Sequence, residues 1–256
     1  MNRKAFALFV YLCNAVAMAQ SSCPSPRIDF SMTFDGEAIL LHGGYSWDET
    51  MQSPMLMDDL WRWNGLVWAE TEPSLRPARR LRHASCFDSV RNEVVLFGGM
   101  LEDWNYAKDV WIWDGTNWFE NTGDPGILRG EGHLSFDSAR GVSVLYVGDI
   151  FTERTSQTWE FDGSEWTQRL TVDSPGPRLD TGFVYDASRQ VCVLFGGVVR
   201  DERGADSAND ETWEYDGINW SKRDLDLSPS PRFGFSMAYD SERARVVLFG
   251  GQLDTG

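Results

Sequence analysis

The chain is poor in the residue types on which most enzymes and nucleic-acid binders rely. Its 256 residues include three histidines and four cysteines, and 23 Lys plus Arg stand against 39 Asp plus Glu, a formal charge of −16. So few cations argue against nucleic acid, whose sequence-independent attraction comes from phosphate neutralisation by Lys and Arg. An anionic membrane surface is disfavoured for the same reason. Apolar runs are equally scarce: past residue 16 nothing approaches the roughly 20 apolar residues of a membrane span, so no membrane insertion is expected. No segment after the first 19 residues shows sustained helical periodicity. A nucleophile-elbow serine, a metal triad and a phosphate loop are all missing, so no metal and no cofactor is expected.

The scarce residues sit in positions that suggest packing. His42 occupies an aromatic position before a glycine doublet, while His83 and His133 follow arginines by three and four residues and, in extended chain, face opposite sides. Asp201, Glu202, Asp206, Asp210 and Glu211 offer oxygen donors, but their spacing matches no Ca²⁺ loop and the segment reads as solvated.

Residues 1–19 read as a signal peptide, with Arg3 and Lys4 as its basic start, Ala5 to Val16 as its apolar run and Ala17-Met18-Ala19 as its cleavage site. The expected location is secreted, periplasmic or cell-surface, and residues 20–26 form a linker. The residues before Cys23 do not match a lipoprotein signal, which favours a soluble exported protein. Cleavage removes Cys13 and leaves Cys23, Cys86 and Cys192, an odd number for an oxidising compartment. Cys86 and Cys192 fall in strands two repeats apart and read as buried thiols.

What the chain does have is a period near fifty residues. An arginine recurs as Arg27, Arg80, Arg129, Arg178 and Arg232, at spacings of 53, 49, 49 and 54. Gly44, Gly99, Gly148, Gly197 and Gly251 each end an apolar segment, usually as the second of two glycines, although the third repeat has Val147-Gly148-Asp149. Further on come Trp61/Trp63/Gly65/Trp68, Trp111/Trp113/Gly115/Trp118, Trp159/Phe161/Gly163/Trp166 and Trp213/Tyr215/Gly217/Trp220. Three signals in one register define repeats at 27–79, 80–128, 129–177 and 178–231, with a partial fifth at 232–256.

This pattern of a glycine doublet after an apolar strand, then spaced aromatics and Trp, resembles the kelch family over residues 27–256. The resemblance implies an all-β propeller of four-stranded antiparallel blades, here four full repeats and a half, an incomplete propeller belonging to a longer protein. In the second repeat the expected strands are A (81–87), B (93–97), C (109–113) and D from Trp118. Asp-Ser-x-Arg and Asp-Gly sequences make short A–B and C–D turns, whereas the B–C and D–A loops are long and share one face. Binding residues concentrate on loops held by a rigid scaffold, so a site is expected there.

The five arginines, at the entry to strand A, are candidates for a ring at the channel rim that binds a polar or acidic ligand. Their alternative role is an ion pair or backbone clamp between blades. The tryptophans and glycines of the repeat are expected to be structural, the rings packing blade on blade. The expected function is an exported binding or interaction scaffold for a protein or glycan. The alternative is a carbohydrate-active propeller enzyme, similar to sialate epimerases or to galactose oxidase, although the chain lacks the residue set of the copper-radical site.

Overall fold

A computed structural model describes residues 23–48, 53–121, 126–127 and 132–253. The expected signal peptide, Arg129 and the first linker residues lie outside them. The regular elements are strands throughout, arranged as four antiparallel four-stranded blades in a propeller. The first blade contains β1 (Ser31–Phe34), β2 (Ile39–His42), a side hairpin of β3 (Tyr45–Asp48) and β4 (Ser53–Leu56), then β5 (Leu60–Trp63) and β6 (Trp68–Thr71). The second contains β7 (Ala84–Asp88), β8 (Glu93–Met100), β9 (Tyr106–Trp113) and β10 (Trp118–Asn121). The third contains β11 (His133–Asp137), β12 (Val142–Asp149), β13 (Thr155–Phe161) and β14 (Trp166–Arg169). In the fourth, β15 (Gly182–Asp186) and β16 (Val191–Phe195) lead through a hairpin of β17 (Val198–Arg200) and β18 (Asp206–Ala208) into β19 (Thr212–Tyr215) and β20 (Trp220–Arg223). A last pair, β21 (Arg232–Asp240) and β22 (Arg245–Leu253), forms a two-stranded sheet beside the fourth blade.

The short turns follow from aspartate chemistry. Asp88 Oδ1 accepts from the main-chain nitrogens of Val90 and Arg91, while its other oxygen pairs with the Arg91 guanidinium. Asp137 with Arg140 and Asp186 with Arg189 repeat the arrangement. Each turn is therefore closed by its own side chains, which fixes the A–B register.

In the second blade the glycine doublet puts a bulge into strand B between Phe97 and Gly99, after which the strand stays paired to Met100. Gly98 and Gly99 have φ of 66° and 97°, a pair that costs residues with a Cβ about 1–2 kcal/mol each. The third repeat has Val147 in the first place, and there β12 runs straight on to Asp149, which pairs with Thr155. Asp149 then closes the turn by accepting from the nitrogens of Phe151, Thr152 and Glu153. Losing one glycine thus leaves the B–C pairing of the third blade without the register shift seen in the second.

Blades stack through their apolar faces. Leu40 and Leu60 of the first blade meet Val94, Leu96, Trp113 and Trp118 of the second. Cys86, Val95 and Phe97 meet Leu145, Trp159 and Phe161, and Val144 and Tyr146 meet Leu194, Tyr215 and Trp220. Main-chain bonds add to the seams: Gly44 N donates to Arg80 O at 2.8 Å, and Gly197 N to Arg232 O at 2.9 Å. The outer face of the last pair lacks such cover among the described residues, and Phe249 is 72% exposed.

Candidate functional site

Strand A of every blade lies innermost, and β1, β7, β11, β15 and β21 contact one another in that order. They enclose a channel of about 290 Å³, walled by residues from all five repeats. At its mouth on the long-loop face, the residue two places after each arginine takes left-handed backbone: Asp29 (φ 56°), Arg82 (56°), Asp180 (51°) and Gly234 (62°). The third repeat's equivalent lies outside the described residues. Adjacent members are linked, Arg82 N to Asp29 O at 2.8 Å and Gly234 N to Asp180 O at 3.1 Å. Three non-glycine residues in that conformation store strain, a feature that clusters at functional sites.

The side chains around this ring are polar. Arg82 Nε pairs with Asp29 Oδ2 at 3.1 Å, whereas Asp180 has no ion pair among the described residues. Thr181 and His83 line the channel and are 5% and 6% exposed, yet Thr181 Oγ1 and His83 Nδ1 have no hydrogen-bond partner. Leaving such a group buried and unsatisfied costs about 1–3 kcal/mol.

His83 reaches back into the seam between the first two blades, where its Nε2 lies 3.1 Å from His42 Nδ1. The sequence places His42 in packing but gives no hint of this partner, because the two rings come from different blades. Burial, with help from Arg80, holds His42 at about 3, and burial followed by His42 lowers His83 as well. Both folded-state values lie below the ordinary 6.5, so the unfolded chain takes up protons first and stability is lost as pH falls below 6.5. The expected loss is about 1.4 kcal/mol per pH unit for each such histidine. Urea unfolding at several pH values above the carboxylate range tests this; a flat profile, or an equal slope in the His42→Gln/His83→Gln variant, would contradict it.

Among the described residues, Arg27, Arg80, Arg178 and Arg232 do not line the channel, and their side chains serve as clamps where a ligand-binding ring was expected. Arg80 is fully buried, and its guanidinium bonds Ala78 O, Gly98 O and both carboxylate oxygens of Asp109 at 2.7 Å. Arg27 grips Gly43 O and Asp59 in the same way. Arg178 holds Gly196 O, Asn209 and Glu211. Arg232 bonds Gly250 O and Ser230, without a carboxylate among the described residues. The side chains of Arg27, Arg80 and Arg178 clamp the start of strand A to the doublet and to the start of strand C of their own blade, and Arg232 reaches the doublet; across the seams it is the arginine main chain that bridges blades.

The acidic partner is the residue that sequence reasoning missed. Asp59, Asp109 and Glu211 each lie two places before a tryptophan whose Nε1 donates back to them: Trp61 at 2.6 Å, Trp111 at 2.7 Å and Trp213 at 3.1 Å. In the third blade Gln157 accepts from Trp159 instead. Although burial pushes the Asp109 carboxyl up, hydrogen bonds from Arg80 and Trp111 bring it below the usual range. Against the same burial, Arg178, Lys222 and Trp213 hold Glu211 at about 2. The recurring acid-x-Trp was the legible signal. It also places Glu211 in a clamp, while Asp206 pairs with Arg200.

The later tryptophans divide by exposure: Trp118 and Trp220 are buried in the seams, and Trp68 and Trp166 are half-buried. Cys86 and Cys192 are buried free thiols, and Cys23 is exposed. Cys86 Sγ donates to Ser143 Oγ at 3.3 Å, and burial pushes its pKa up to about 12, so it is inert at neutral pH.

Fold and channel together define a β-propeller. The solved structure titled "Structure of YjhT" superposes with a TM-score of 0.72 over 90% of this chain and 79% of that one, at 13% identity, a likeness of fold alone. In sequence, the tRNA wybutosine-synthesizing protein 4 of Aspergillus fumigatus is 32% identical over 114 residues. That match spans 40% of this chain and a tenth of the relative's length. No family model matches the chain.

Proposed function

We propose that this protein is an exported kelch-type propeller that serves as a binding scaffold, with its ligand seated in the long-loop mouth of the central channel. One observation carries the reading: the innermost strands of all five repeats enclose a cavity of about 290 Å³ whose rim holds three non-glycine residues in left-handed backbone. A rigid ring of blades that presents polar side chains around an open cavity is suited to recognition. Export rests on the basic, apolar and small-residue pattern of residues 1–19.

The alternative of a sialate-epimerase-like enzyme has less support. Arg82 at the mouth is already paired with Asp29, and Asp180 adds a further carboxylate, so an anionic sugar meets the wrong charge. Screening the exported protein and its Thr181→Val/Asp180→Asn variant on peptide and glycan arrays tests the proposal. At least a tenfold loss of the captured ligand is expected in the variant; undiminished capture would place the site elsewhere.

A further inference from the structure

We infer that the free edge of β22 is a docking site for a β-hairpin of a partner polypeptide, recognised by an acid-x-Trp sequence whose carboxylate enters the grip of Arg232. The arginine is already set for it. Arg232 Nε donates to Ser230 O at 3.0 Å, Nη2 to Ser230 Oγ at 2.8 Å and Nη1 to Gly250 O at 2.9 Å. Arg27 makes the same three bonds, to Ser25 O, Ser25 Oγ and Gly43 O, each at 3.1 Å, and both of its terminal nitrogens also hold Asp59. Each of these arginines ends a Ser-Pro-Arg sequence, so the two guanidinium groups are held alike. What differs is that no carboxylate partners Arg232 among the described residues. A guanidinium fixed in this posture matches a carboxylate bidentately.

The strand beside the arginine supplies the rest of the site. β2, β8 and β16 each lie between a strand A and a strand C, whereas β22 pairs with β21 alone. Its second edge presents main-chain donors and acceptors that another strand can extend. Val247 and Phe249 are 46% and 72% exposed, while Val95 and Phe97, at the same places in the second blade, are buried against the third. The register is set as well. In the filled blades the residue before the doublet faces the residue after the acid, His42 facing Leu60, Phe97 facing Val110 and Phe195 facing Thr212. The partner's tryptophan, one place further, then lies opposite Leu248. The occupant's chemistry follows from Asp59, Asp109 and Glu211, each held beside its arginine by the indole of the tryptophan two places on. A second copy meeting edge to edge does not supply it, because β22 contains no carboxylate and begins with Arg245. Residues 1–22 contain no Asp, Glu or Trp, so they do not supply it either.

The test is fluorescence anisotropy with the full chain and a fluorescein-labelled peptide of residues 209–223, the acid-x-Trp hairpin of the fourth blade. Saturable binding is expected. Glu211→Gln in the peptide, which leaves the protein untouched, and Arg232→Met in the protein should each weaken it by about tenfold or more, and the two together no further than either alone. Hydrogen–deuterium exchange of the complex should slow at residues 246–252. The absence of saturable binding, or binding indifferent to Glu211→Gln or to Arg232→Met, overturns the inference. Dimers in sedimentation velocity whose β22 amides are already protected without peptide would assign the edge to a second copy and overturn the partner hairpin. Neither of these outcomes touches the channel proposal, which the array screen tests separately.

Discussion

Replacing Arg80 with methionine lowers the free energy of unfolding by about 3–5 kcal/mol, the range for removing one partner of a buried ion pair. The side chain is 1% exposed and its partner Asp109 24%, so water relieves part of the stranded carboxylate and the lower end of the range is expected. The loss exceeds that of the pair alone because Gly98 O and Ala78 O lose their donors too. Urea unfolding measures it. Lysine should not rescue the variant, since a single ammonium cannot grip two carboxylate oxygens and two carbonyls at once. A loss below about 1 kcal/mol, the value of an exposed pair, would show that the clamp is not structural.

Gly148→Ala is expected to cost about 2–3 kcal/mol, in the range for forcing extra atoms into a packed site. A Cβ on Gly148 would lie 2.2 Å from Arg178 O and 2.7 Å from Arg178 N, main-chain atoms that cannot swing aside, so the third and fourth blades must part. Gly115→Ala is the control. Its φ of 95° strains any side chain, yet nothing lies within 4 Å, and the cost should stay near 1–2 kcal/mol. Thermal unfolding of the two variants side by side separates crowding from backbone strain; equal losses would contradict the close seam.

These glycines also show how far the sequence could be read. The fifty-residue period, the Asp-Ser-x-Arg turns and the Trp series were visible because each repeats in register, and strands B, C and D of the second blade fall within three residues of their expected ends. Strand A starts at Ala84, later than expected, because Arg82 is left-handed and holds the chain out of the ladder. Residue type does not announce that conformation at an arginine, although Asp29, Asp180 and Gly234 at the equivalent places are of types that adopt it more readily.

The site was legible only as a face. The long B–C and D–A loops point to the end of the propeller where the ligand is proposed to bind, but Arg80 and Arg178 at that end turn to carboxylates some thirty residues away in sequence. Position after a loop does not reveal which way a side chain turns. Thr181 and His83 carry no distinguishing spacing, and their importance comes from missing partners, a property of packing. The His42 to His83 contact is likewise invisible in sequence, since it depends on how one blade lies against the next.

The most direct test of the channel as the binding site is hydrogen–deuterium exchange of the protein with and without its captured ligand. Slowed exchange is predicted at residues 82–85 and 180–183, which line the mouth from the second and fourth blades. Protection confined to the Asp114-Gly115 and Asp162-Gly163 turns, which belong to the opposite, short-turn face, with the channel amides unchanged, would contradict the account.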